Sequence, residues 1–200
     1  MTVQVETRGT ALRAKVWRMK VGRCDLLLLD SNIEGNHPED RELTSRLYGG
    51  DSRIRIRQEL LLGIGGFRAL RAMGITPGVL HLNEGHSGFA VLEAIRDRMQ
   101  SEGIDFDHAV RRVSRATVFT TPTPVPAGHG RFYSELREDH LGPRGEAVGI
   151  TKDRRSDTGG EEQGRPKGRY GRTVLGLRLA RRANAVSALH GEVSRHMWTG

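Results

Sequence analysis

The sequence predicts an α/β domain, a parallel sheet flanked by helices. Short apolar runs at 79–82 and 116–121 read as strands, and two helical segments lie between them. Glycine, proline and Asn-Glu-Gly mark the junctions as turns. Strand, helix, helix, strand is the order of parallel strands joined by helical crossovers.

The first elements are strands of another kind. In "KVWRMKV", Trp17, Met19 and Val21 alternate with charged neighbours, the period of a strand with one covered face. "CDLLLLD" at 24–30 reads as a buried strand. A helix is predicted to start at Asn-His-Pro-Glu-Asp and to run through "EDRELTSRLY", until the glycines at 49 and 50 break it.

A longer helix is expected from Ser52 to Met73. Ile54, Leu60, Leu61, Ile64, Phe67, Leu70 and Met73 recur at helical spacing. "GIGG" at 63–66 falls inside it. That position suits a close helix crossing better than a dinucleotide loop, which follows a strand and needs a third glycine in place. Phe89, Val91, Leu92, Ile95 and Met99 mark the next helix, and "DFDHAVRRV" a short one after it.

From 142 to 172 periodic apolar residues almost vanish and eight glycines appear, so this stretch reads as disordered or as a linker. The pattern returns at 173. Leu175, Leu179, Ala183, Val186, His190, Val193 and Met197 are expected on one face of a single long helix. The organisation expected is a domain over 11–141, the 142–172 segment, and a helix over 173–200 that continues the domain.

Composition sets limits on function. Two hundred residues suffice for one domain with a core, although the apolar fraction is only 36%. The single cysteine, Cys24, forbids an internal disulfide, which fits a reducing compartment; a lone cysteine is more often buried than nucleophilic. No apolar leader opens the chain and no run is long enough to span a membrane. A cytoplasmic location follows as an expectation. The net charge of +8 allows nucleic-acid binding. Yet arginines alternate with acids, as on solvated helix faces, and few aromatics stand among them to stack bases. Nucleic acid is therefore disfavoured. Lysine occurs only at 15, 20, 152 and 167.

The strand-end loops carry the candidate chemistry. In open parallel sheets, ligands sit beyond the C-terminal ends of strands. Two loops leave such ends, "NEGH" after 79–82 and "TPTPVPAGHG" after 116–121. Neighbouring strands would bring Asn83, Glu84, His86 and His129 to one cleft. The helix turn after Gly85 would add N–H groups suited to an anion. The alternative is that Glu84 and His86 only cap a helix. His81 and His86 flank the turn rather than standing four apart on one helix, so a metal pair is disfavoured.

Three long stretches resemble one family. "RLYGGDSRIRIRQELLLGIGGFRALRAMGITPGVLHLNEGHSGFA", "VFTTPTPVPAGHGRF" and "TVLGLRLARRANAVSALHGEVSRHMW" resemble, in order, the N-terminal domain of bacterial α-glucan (glycogen, maltodextrin) phosphorylases. The resemblance covers about 11–140 and 173–198. It implies a Rossmann-like sheet, the incomplete half of a two-domain glycosyltransferase fold. It implies transfer of a terminal glucosyl unit from an α-1,4-glucan to phosphate, giving glucose 1-phosphate. It further implies pyridoxal phosphate, held on a lysine of the other domain, with the cofactor's phosphate giving and taking the proton.

Residue by residue, the resemblance puts Asp51 of "LYGGD" on a loop beside the active site. Asn83, Glu84 and His86 fall behind the sugar pocket. Val186 comes near the cofactor ring, with His190 in the same wall. The chain departs from the family in three ways. Pro122 stands where the family has a histidine in Thr-Thr-His-Thr-Pro, so no complete catalytic set is expected. Segment 142–172 lacks the family's pattern, as a compensated frame slip in a GC-rich gene would produce. No lysine lies in the context of the cofactor lysine. A catalytically inactive carbohydrate-binding or partner module is the alternative reading. The oligomeric state is left open.

Overall fold

In the computed structural model, residues 1–7, 10–46, 51–121, 131–133 and 169–198 are described. They form an α/β fold with an antiparallel meander, a parallel sheet and a short antiparallel pair.

The meander consists of β1 (Thr2–Thr7), β2 (Thr10–Val21) and β3 (Cys24–Asp30), in that order. Val3, Val5, Leu12, Ala14 and Val16 form its buried face. The two-residue turn at Gly22 and Arg23 has Gly22 at φ 58, as a tight hairpin turn requires. The expectation of a buried "CDLLLLD" strand is corrected here. Leu27 and Leu29 pack on the core, but Leu26 and Leu28 remain 43% and 47% exposed. They pair with Met19 and Trp17, which are also exposed. An antiparallel strand covers one face only, and an unbroken leucine run hides that alternation. Cys24, expected to be buried, is exposed at the hairpin end.

The first predicted helix shrinks to α1 (Pro38–Arg41). Side chains capture the backbone that would extend it. The Thr44 amide donates to Ser31 Oγ, and the Ser31 amide donates to Thr44 Oγ1. Ser45 Oγ donates to the Glu42 carbonyl. Serine and threonine compete with helical hydrogen bonds in this way.

The long helix forms in three parts: α2 (Ser52–Leu60), a π-helical turn (Leu61–Gly65) and α3 (Gly66–Ala72). Ile56, Leu60, Leu61, Ile64 and Phe67 are buried along it, while Ile54 faces out. The π turn lies between the meander and α4 (Phe89–Glu102). Its two glycines serve opposite neighbours. A Cβ on Gly65 would lie 3.4 Å from Val5 Cγ2, and one on Gly63 only 2.8 Å from the Ala90 amide nitrogen. The expected close crossing is thus present at Gly63.

Arg68 on α3 ties three elements together. It donates to Glu93 Oε1 on α4 at 2.7 Å, to the Gln4 carbonyl at 2.6 Å, and to Glu6 at 3.1 Å. Burial opposes the guanidinium's charge, but the hydrogen bonds and charges of Glu93 and Glu6 outweigh it and hold its pKa above the ordinary value.

The parallel sheet has the order β4 (Leu80–Asn83), β5 (Thr117–Thr120) and β8 (Arg182–Asn184). Helices α4 and α5 (Phe106–Arg115) connect the first two strands, and α6 (Arg172–Leu179) precedes the third. Phe119 and Leu82 are buried, and α6 crosses β5 at Gly176. Strands β6 (Arg131–Tyr133) and β7 (Arg169–Gly171) pair antiparallel.

The single helix expected from 173 is also corrected. It is replaced by α6, β8 and α7 (Ala188–Met197). Pairing with β5 takes the backbone at 182–184 into the sheet, and the Thr121 amide donates to the Asn184 carbonyl at 2.8 Å. Ser187 then caps α7, its hydroxyl accepting from the His190 amide at 3.1 Å. Most of segment 142–172 lies outside the described residues.

Candidate functional site at the carboxyl edge of the parallel sheet

Asn83, Thr120 and Asn184 stand side by side at the ends of three parallel strands. The segments that follow Asn83, Thr120 and Asn184 therefore leave one edge of one sheet. Backbone and side chains fasten this edge together. The Glu84 amide donates to the Thr120 carbonyl at 3.0 Å. Thr120 Oγ1 donates to Asn184 Oδ1 at 2.7 Å, and His81 Nε2 lies 2.7 Å from the same hydroxyl. A hydroxyl has one proton, so His81 Nε2 is the donor to Thr120. Thr121 Oγ1 donates to the Asn184 carbonyl and meets Ser194 Oγ of α7, each at 3.1 Å.

Glu84 has an unusual backbone. At φ 62 and ψ −173 it is the only non-glycine residue with positive φ among the described residues. That region is essentially reserved for glycine, and holding another residue there costs about 1–3 kcal/mol. Its carboxylate lies 3.2 Å from His86 Nε2. On the other side of the ring, Glu59 Oε1 lies 3.4 Å from Nδ1. The Glu84 carboxylate, on a strained strand end and braced by His86, can accept hydrogen bonds from the hydroxyls of a ligand and orient them.

Glu84→Gly removes both the strain and the carboxylate. Relief of about 1–3 kcal/mol exceeds the roughly 0.4–1 kcal/mol that glycine adds to the unfolded chain's entropy. We expect Glu84→Gly to unfold a few degrees higher than the parent, at about 2–4 °C per kcal/mol for a chain of this size. A lower melting temperature by calorimetry would show that the loop is not strained.

The other predicted residues are placed as follows. Asn83 is exposed in the last position of β4. Asp51 caps α2, its carboxylate accepting from the Arg53 and Ile54 amides at 2.9 and 3.0 Å. It stands about 12 Å along the helix from Glu59, at 1.5 Å per residue, so its contacts are those of a helix cap. Val186 is 75% exposed between β8 and α7, and His190 is buried in the first turn of α7. Pro122 and His129 lie outside the described residues.

Sequence reasoning missed Glu59, Thr120, Thr121 and Asn184. Glu59 had a signal. It lies three residues after Ile56 and four before Gly63, so a charged residue falls on the face that packs inward.

A parallel α/β domain with convergent polar groups beyond its strand ends has the build of a ligand-binding enzyme domain. No protein-family profile matches the chain. Individual relatives do. The chain is 46% identical to a glycogen phosphorylase of Mycobacterium tuberculosis, over 96% of its own length and 24% of that protein. It is 40% identical to a maltodextrin phosphorylase of Thermococcus litoralis, over 99% of its length and 23% of the relative. A glycogen phosphorylase of Aquifex aeolicus is 35% identical over 92% of the chain and 26% of the relative. The chain thus matches the α-glucan phosphorylase family as a partial domain, spanning about a quarter of the length of these curated relatives.

Proposed function

We propose that the chain forms one wall of a glucan phosphorylase active site. Its parallel sheet is then part of a Rossmann-like domain, one half of a two-domain glycosyltransferase fold. The observation that carries this reading is the strained Glu84 carboxylate against His86 at the carboxyl edge of the sheet. A side chain held in a conformation suited to glycine is consistent with a position kept for its chemistry.

The substrates in this reading are an α-1,4-glucan and orthophosphate. Asn83, Glu84 and His86 hold the terminal glucosyl ring, with Asp51 on the adjoining loop. The C1–O bond of that unit breaks and a C1–O bond to phosphate forms, giving glucose 1-phosphate with retained configuration. Pyridoxal phosphate, when bound, supplies the phosphate group that gives and takes the proton.

The described residues fit that cofactor only in part. Val186 offers exposed apolar surface, whereas His190 is buried in the first turn of α7. Lysines 15 and 20 stand on β2 of the antiparallel sheet. Lys15 lies over the Trp17 ring at 3.9 Å, and Lys20 lies 3.4 Å from Asp25. Neither stands at the carboxyl edge of the parallel sheet, where a Schiff base would have to reach. The contribution of this wall is to position the sugar. No helix among the described residues is long and apolar enough to cross a membrane.

The purified chain, given pyridoxal phosphate, phosphate and maltodextrin, should release no glucose 1-phosphate. Grafted with Pro122→His into the mycobacterial relative, in place of the segment it matches, it should support phosphorolysis. Turnover by the chain alone, or a folded but inactive graft, contradicts the proposal.

A further inference from the structure

We infer that Glu59 is a positioning residue for His86 and that Gly63 is the spacer that sets the distance between them. The inference rests on the reading above, in which His86 faces the glucosyl pocket.

The Glu59 side chain is 7% exposed. A carboxylate so deep in a fold is normally paired. Its Oε1 meets Nδ1 of His86, and Glu84 meets Nε2. The two ring nitrogens lie on different edges of the imidazole, so the two carboxylates together fix the plane of the ring. Glu84 alone would leave the ring free to swing about one contact. Glu59 is too enclosed to meet a ligand of any size, so it acts through His86.

The geometry depends on how closely α2 and its π turn approach the start of α4. Glu59 and Gly63 are four residues apart, as are His86 and Ala90, and the two segments touch at both levels. At the upper level a Cβ on Gly63 would lie 2.8 Å from the Ala90 nitrogen and 2.9 Å from Phe89 Cβ. The first of these is backbone and cannot rotate away. A methyl group there must part the segments. The lower contact, at 3.4 Å, is already at the long end of a hydrogen bond. The π turn begins two residues after Glu59, and such turns are frequent at functional sites. "GIGG", set aside as a nucleotide loop, thus gains a role in the site.

The test is nitrogen NMR of the histidine rings in the full 200-residue chain labelled with [15N]histidine. Glu59→Gln, close to isosteric, should move the His86 Nδ1 resonance, whereas Glu84→Gln should move Nε2. Glu59→Asp, which keeps the charge, should return Nδ1 part of the way. Affinity for maltoheptaose should fall about tenfold in Glu59→Gln and recover in part in Glu59→Asp. If Glu59→Gln does not fold, the wild-type chain carries the test: the Nδ1 proton of His86 should be visible and slow to exchange. An unmoved Nδ1 in folded Glu59→Gln, or a fast-exchanging Nδ1 proton in the wild type, overturns the role of Glu59. A moved Nδ1 with no maltoheptaose binding by the wild type upholds that role and sinks the phosphorylase reading instead.

Discussion

Grafted into an intact bacterial glucan phosphorylase, the Thr120-Thr121-Pro122-Thr123 sequence should lower turnover about 10²–10³-fold, the usual cost of losing a transition-state hydrogen bond. The loop follows the middle strand of the parallel sheet, and Thr121 at its root is held by Asn184 and Ser194. The resemblance puts a histidine at the next position, at the rim of the glucosyl pocket. Proline there has neither a polar side chain nor an N–H. Proline fixes φ, so prolines at positions 124 and 126 lower the entropy lost in holding a neighbouring group. Glu84 keeps its contact with His86 in either case. Pro122→His in the graft should restore turnover with the cofactor equally bound in both forms. Equal rates with and without the histidine would show that the loop serves another purpose.

The second large effect concerns stability. Gly176→Ala should destabilise the chain by about 1–3 kcal/mol, the range for overpacking a filled core. A Cβ at 176 would overlap Cε2 and Cδ2 of Phe119. That ring is fully buried on the central strand, one residue before Thr120, and close-packed interiors leave little room for a side chain to turn. Alanine favours a helix over glycine by about 1 kcal/mol, and here the clash wins. Gly66 is the control. It also lies in a helix, but nothing is within 4 Å of its Cβ position. Gly66→Ala should therefore raise stability by about 0.5–1 kcal/mol. Urea unfolding of both variants decides the matter, and a Gly176→Ala chain at least as stable as the parent would refute the packing of α6 on β5.

Much of this fold is legible from local pattern. Helical spacing locates the element from Ser52 onward, and the turn signals around 79–82 and 116–121 locate two parallel strands. "GIGG" signals close contact because glycine inside a helix otherwise weakens it. The failures have a common cause. Leucines 26 to 29 look uniformly buried, and only pairing with β2 shows which two face out. Ala183 and Val186 fit a helical face, yet hydrogen bonds to a strand more than sixty residues away draw that backbone into the sheet. Glu59 and His86 are 27 residues apart, and their meeting depends on a helix crossing. Local sequence reports spacing along one element, whereas a site at a sheet edge is assembled from several.

The central claim is that the carboxyl edge of the parallel sheet receives the glucan. Backbone amide NMR of the 200-residue chain, titrated with maltoheptaose, tests it directly. One wall of a site should bind weakly, with Kd roughly millimolar, about −4 kcal/mol. The shifts should gather at Asn83, Glu84, His86, Thr121 and Asn184. Glu84→Ala should abolish them while leaving the spectrum of the meander unchanged. Saturable shifts confined to β2 and β3, or none at tens of millimolar sugar in a folded sample, would contradict it.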